Sequence, residues 1–308
     1  MLTWDTTVTI SARLVIGFVG LVLVGCHSRD DSQVELLREL PDSLSGFRQD
    51  AWFLPDDSLL GFVEIPSGPF LMGSAPSIDG QAFDNERWSA ERAQGTVDLE
   101  TFFIGRFEVT TAQFLAYVKE TEARVNDAAL NTTLDHPVSS VSWPDALAYC
   151  RWLDQALRNW AETPATIRRY LERGWRVTLP SEAEWEKAAR GTDGRIYSWG
   201  NELTNNVANF NTEGTRPVGA IDCPTCLFGL HDMSGNVWEL TRSQYRAYPF
   251  VDDHSAVDLQ TDALFVMRGG SFTDQANTIR SSVRGGTDPG VRRPFIGFRI
   301  SLSPFTPD

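Results

Sequence analysis

Glycine-centred turns interrupt the second half of this chain so often that no long regular element can form there. Arg190-Gly191, Trp199-Gly200-Asn201, Ser234-Gly235-Asn236 and Arg268-Gly269-Gly270 follow one another, and such turn signals punctuate helices and strands. The same chain carries 24 Gly and 10 Trp, and Trp is a large side chain that calls for an interior. Together they predict an aromatic core threaded by turns rather than a helical bundle. No repeat of fixed period is present. The expected class is α+β, loop-rich, with little regular secondary structure.

Within that frame three helices are signalled. One starts at Thr110-Thr111 and runs through Phe114, Leu115 and Val118. A second starts at Ser142, with Pro144 in its first turn, and puts Ala146, Tyr149, Cys150 and Leu153 on one face. The third opens on the capping box Ser181-Glu182-Ala183-Glu184. Cys150, on an apolar face, reads as a small core residue. The folded body is expected from about residue 61, where Phe62-Val63-Glu64-Ile65 alternates like a strand.

The N-terminal region has another logic. Leu14 to Gly25 (LVIGFVGLVLVG) is apolar or small throughout and follows Arg13. It is shorter than the roughly 20 residues a membrane-spanning helix needs, and suits a signal segment. It ends in Leu23-Val24-Gly25-Cys26, which resembles the lipobox of bacterial lipoproteins. That resemblance implies cleavage before Cys26 and a diacylglycerol on its sulfur. The expected organisation is a signal peptide over 1–25, a polar tether over 26–60, and one domain over 61–308. Anchoring is then by lipid, at the cell envelope and outside the cytoplasm. His27 rather than Asp follows the cysteine, which implies the outer membrane in a cell with two membranes.

A formal charge of -14, from 27 basic and 41 acidic residues, argues against nucleic acid as a partner, because phosphate binding needs clustered Lys and Arg. The acidity reads as a soluble surface.

Eight stretches, in order, resemble the sulfatase-modifying-factor family, whose founding members are the formylglycine-generating enzymes. They begin with Phe62–Ser74 (FVEIPSGPFLMGS), Phe107–Phe114 (FEVTTAQF), His136–Tyr149 (HPVSSVSWPDALAY) and Val177–Arg190 (VTLPSEAEWEKAAR). Tyr197–Glu202 (YSWGNE), Gly229–Thr241 (GLHDMSGNVWELT), Arg268–Ser271 (RGGS) and Gly297–Ile300 (GFRI) complete them. The resemblance implies the formylglycine-generating-enzyme fold, which is related to C-type lectins.

It does not carry the activity with it. In the family, two cysteines shortly after RGGS hold Cu(I) and oxidise a sulfatase cysteine with O₂. Here Asp274 stands at the position of the first, the loop from Thr273 to Ile279 contains no cysteine, and nothing matches the second. Cu(I) needs soft ligands that a carboxylate cannot replace. No catalytic residue is therefore assigned; Asp274 is read as an ion-pair or loop-capping group, or as one lining a groove. Iron is not expected either, since four His are present in all and His27, His231 and His254 stand apart.

The family's calcium loop is matched residue by residue at Asp232, Gly235, Val237 and Glu239. Oxygen-only donors suit Ca²⁺, so calcium is the expected cofactor; the competing reading is a plain turn with Glu239 paired to an arginine. A second calcium loop is only half matched, at Asn209 and Phe210. Cys223-Pro224-Thr225-Cys226 allows a loop-pinning disulfide or a redox pair, and an exported chain favours the disulfide. Arg268, Arg280, Arg284 and Arg299 match family arginines that tie loops together, with a grip on a carboxylate or peptide as the alternative.

The expected function is that of an exported lipoprotein whose domain binds or regulates a protein, peptide or glycan partner, without formylglycine-generating activity. The alternative is a metal-dependent oxidase of the same family, of formylglycine-generating or pyoverdine-maturation type.

Overall fold

The computed structural model describes residues 39–204, 206–251 and 263–304; the expected signal segment, Cys26, His27 and His254 lie outside them. The family-like segments build two small four-stranded sheets with helices packed on them. The first sheet orders β3 (Phe62–Ile65), β6 (Phe102–Gly105), β12 (Ser301–Ser303) and β7 (Arg176–Thr178), all antiparallel neighbours. The second orders β10 (Gly285–Thr287), β9 (Phe265–Arg268), β8 (Trp238–Gln244) and β11 (Ile296–Gly297), with β8 and β11 parallel. Two-stranded pairs join β1 (Phe47–Arg48) to β2 (Leu54–Pro55), and β4 (Gly68–Met72) to β5 (Gly95–Leu99).

The first sheet is covered on both faces, which is why β6 reads Phe-Phe-Ile-Gly with no polar residue. Phe103 points into the largest core cluster, while Phe102 and Ile104 face Trp185, Ala188 and Ala189. Those three residues belong to helix α4 (Glu182–Arg190). The large cluster is filled by α1 (Thr111–Thr121) and α2 (Trp143–Asn159). Each of the three helices starts at the expected residue because its cap is local. Thr110, Ser142 and Ser181 accept hydrogen bonds from the N–H groups of Gln113, Asp145 and Glu184, whose side chains return to the cap N–H groups. Cys150 is buried in α2, where burial pushes its thiol up.

Two expectations need correction. The polar tether does not run to residue 60: Ala51, Phe53, Leu54 and Leu60 are buried core residues, and β1 pairs with β2 inside this stretch. Left-handed backbone at Trp52, Phe53 and Leu60 (φ 52°, 60° and 55°) breaks the period that would have revealed it. Helix α3 (Ala165–Glu172) was also not foreseen; it buries only Ile167 and Leu171, too short a stripe to signal a helix.

Helix α4 is the least ordinary element, because all nine of its residues are buried. Glu182 accepts from Arg284, Glu184 from Arg242, and Glu186 from both Arg190 and Arg268. Lys187 donates to the carbonyls of Pro66 and Gly68 at 2.7 and 2.8 Å. Buried charge survives only when paired in this way. Burial pushes the Glu186 carboxyl up, but Arg268 and Arg190 outweigh it and hold the group below the usual range. The same holds for Glu184 beside Arg242. Among the described residues, no helix is long and apolar enough to cross a membrane.

Candidate functional site

Strand β9 ends at Arg268, and the chain turns through Gly269 and Gly270 at φ 92° and 70°. A Cβ on Gly270 would lie 2.7 Å from Ile279 Cγ2, so only glycine fits. Beyond the turn, Asp274 Oδ2 accepts from the Ser271 N–H at 2.9 Å, from Ser271 Oγ at 2.6 Å and from Trp238 Nε1 at 2.9 Å. The Asp274 carboxylate thus caps its own loop and tethers the indole of β8.

The donor set around it does not fit copper. Cys223 and Cys226 are joined to each other by a disulfide. Cys150 is fully enclosed in α2. The loop from Thr273 to Ile279 offers oxygen and nitrogen but no sulfur.

The four arginines point inward. Arg268, Arg280 and Arg299 are fully buried and Arg284 nearly so. Arg268 reaches Glu186 and the Ser282 and Val283 carbonyls. Arg280 bonds Asp79 at 2.7 Å and Glu86 at 2.6 Å, and Arg284 bonds Glu182 at 2.5 Å. These guanidiniums grip this protein's own carboxylates and tie distant loops to α4 and to one another.

The matched calcium turn sits directly beside the RGGS loop. Gly235 N–H donates to Gly269 O at 2.8 Å, and Phe272 N–H to Asn236 O at 3.0 Å. Asp232 and Asn236 hold left-handed φ values of 57° and 60°, which Asp and Asn tolerate best among residues with a Cβ. Half-buried Asp232 accepts the Gly219 N–H at 2.7 Å. Glu239 is fully buried and heavily engaged: Oε1 takes Nη2 of Arg299 at 2.5 Å, and Oε2 takes Nε of Arg299 and Nε1 of Trp185, both at 2.6 Å.

Tertiary packing adds two residues that sequence reasoning did not single out. Asn236 is a fully buried hub; its Oδ1 accepts from Asn209 Nδ2 and the Arg216 N–H, both at 3.0 Å. Its Nδ2 donates to Glu108 Oε1 at 3.1 Å. Glu108 is 1% exposed, and its Oε2 has no hydrogen-bond partner. Burial pushes the Glu108 carboxyl well up, and the charges of Asp232 and Glu239 add to that. Burial raises Asp232 as well, against the pull of the Gly219 N–H and Arg299. The only signal in the sequence is an acid inside the apolar Phe107-Glu108-Val109. His231, next to Asp232, packs on Phe107 with ring centroids 5.2 Å apart.

The oxygen donors here are of the type that suits a hard cation, but among the described residues no three His, Cys, Asp or Glu side chains are grouped so as to hold a metal ion. Arg299 is the only cation in an ion pair with any of Glu108, Asp232 and Glu239 among the described residues. At the half-matched second loop, Asn209 is used internally: its Oδ1 accepts from Thr212 Oγ1 and its Nδ2 donates to Gly214 O.

Known proteins resemble the chain along most of its length. It is 28% identical to the formylglycine-generating enzyme of Thermomonospora curvata, over 81% of this chain and 96% of that one. It is 29% identical to the inactive C-alpha-formylglycine-generating enzyme 2 of Bos taurus, over 80% of this chain and 90% of that one. In fold it is similar to PvdO from Pseudomonas aeruginosa, with a TM-score of 0.62 at 24% identity over 79% and 94% of the two chains. Residues 54–303 match the Sulfatase-modifying factor enzyme 1-like domain, and the chain belongs to that family, the formylglycine-generating-enzyme-like proteins.

Proposed function

We propose that this chain is an exported lipoprotein, anchored through Cys26, whose domain binds a protein, peptide or glycan partner and does not generate formylglycine. The observation that carries the second half is the state of Asp274. A residue bonded to Ser271 and to the Trp238 indole holds the loop in shape, and it is a hard oxygen donor where the family's oxidase chemistry uses a soft thiolate. The relative from Bos taurus, named as inactive, is as similar to this chain as the bacterial enzyme is, so the family accommodates both states.

Calcium belongs to this reading as a structural ion. Asp232, the Gly235 and Val237 carbonyls and the Glu239 carboxylate, which also pairs with Arg299, would hold it.

The deciding assay incubates the purified body with Cu(I), O₂ and a sulfatase-motif peptide, followed by mass spectrometry. No aldehyde is expected. Turnover that disappears in Cys223→Ser or Cys226→Ser would instead establish an oxidase with a relocated metal site. Turnover that survives both changes would overturn the proposal outright.

A further inference from the structure

We propose that helix α3 and the turn after it form a docking surface for the anionic phospholipid headgroups of the membrane to which Cys26 tethers the body. The inference rests on the lipid anchor proposed above and adds the face by which the anchored body meets the bilayer.

The first observation is a charge out of keeping with the rest of the molecule. The chain carries -14 overall, yet Ala165 to Arg176 holds four arginines against one glutamate. Two of the four are engaged within the body. Arg168 donates to the carbonyls of Trp160 and Ala161 at 3.0 and 2.9 Å, and Arg176 lies 3.9 Å from Asp154. Arg169 and Arg173 are exposed, and their guanidiniums sit over the ring of Tyr170, 5.4 and 6.0 Å from its centroid. An acidic headgroup layer complements this patch, because each basic side chain near such a surface adds attraction.

The second observation is the aromatic pair that carries these arginines. Tyr170 and Trp175 pack with centroids 4.3 Å apart, and both are half-buried, backed by Phe103 at 5.0 and 6.3 Å. A ring with one apolar side and one wet side suits headgroup depth, where Trp and Tyr gather.

The third is where the tether joins the body. Only 14 positions separate Cys26 from Leu40, a span of at most about 50 Å. Leu40 and Trp52 pack against the same cluster of Phe53, Ala112 and Ala116. Trp52 meets Trp160 at 5.6 Å, and Arg168 of α3 bonds the Trp160 carbonyl. The chain therefore joins the body on the side that carries α3, and a short tether presents that side to the bilayer.

The test reconstitutes the full lipidated chain in vesicles of phosphatidylcholine, alone or mixed with phosphatidylglycerol. An arginine-selective dicarbonyl reagent labels the protein, and mass spectrometry locates the label. Labelling of Arg169 and Arg173 should fall about fivefold or more in the anionic vesicles and recover at high salt, which screens exposed charge. Arg92, exposed in the loop before β5, should label equally in both. Arg169→Glu should bring Arg173 labelling in anionic vesicles close to its rate in neutral ones, with the melting temperature unchanged; Arg169→Gln should act in the same direction more weakly. Equal labelling of Arg169 and Arg173 in the two vesicles, with lipid found on Cys26, overturns the docking face and leaves the anchor intact. A Cys26 without lipid overturns the anchor and the docking face with it. Protection in neutral vesicles that grows with protein concentration identifies a second copy as the occupant and overturns the proposal.

Discussion

The indole N–H of Trp238 donates to the carboxylate of Asp274 at 2.9 Å, so the turn that follows Asp232 and the loop that follows Arg268 are one unit. Asp274 also caps its own loop through Ser271. Asp274 therefore has a structural role in this loop. Asp274→Ala should cost about 1–3 kcal/mol, the penalty for leaving enclosed donors unsatisfied, read as a lower urea midpoint. A neutral effect would show that the loop does not depend on this cap.

Glu186 bridges two buried guanidiniums and the Gly73 N–H from the centre of α4. Glu186→Ala takes the carboxylate from Arg190 and the nearer of two from Arg268, whose other partner is Glu182, and a broken buried pair costs about 3–5 kcal/mol. The body is expected to melt at a much lower temperature or to fail to accumulate. Glu186→Gln, which keeps the shape and loses the charge, should fall between the variant and the wild type.

Acid sensitivity follows from the same helix. Glu184 and Glu186 have folded-state pKa values held below the ordinary range. A depressed carboxylate adds stability that is fully present above its unfolded pKa, about 4.3, and lost as pH falls through the folded value. The urea midpoint should therefore hold steady from neutral pH to about pH 5, then drop steeply below about 4.3. Arg242→Met, which removes the partner of Glu184, should make that drop shallower. An unchanged slope would mean that other carboxylates govern acid unfolding.

Membrane anchoring is predicted from Leu23-Val24-Gly25-Cys26. Cys26→Ala in the full chain should stay unprocessed or leave the membrane fraction, while the folded body keeps its melting temperature. Identical processing and fractionation of the two proteins would remove the lipoprotein reading.

Much of the architecture can be read locally. Helices α1, α2 and α4 begin where a Thr or Ser hydroxyl meets the N–H three residues on. A cap involves only neighbours in sequence, so no knowledge of the fold is needed. The strand at Phe62–Ile65 is likewise visible in its alternation. The stretch from Phe47 to Leu60 is not, because its left-handed residues remove any fixed period and its burial depends on partners far away. Gln113, for example, donates to the Phe53 carbonyl at 2.9 Å across 60 positions.

The candidate site divides in the same way. The chain's own letters show an acid at Asp274 and no cysteine from Thr273 to Ile279; that this is the place of a copper thiolate, and that Asp232, Gly235, Val237 and Glu239 follow a calcium loop, is what the family resemblance implies. Only the tertiary structure decides that Glu239 belongs to Arg299, 60 positions away, and that Glu108 meets Asn236 across 128. The same is true of α4, whose buried Glu182 is paired by Arg284 from 102 positions downstream. Charge pairing acts over a few ångströms in space, and nothing in sequence separation reports it.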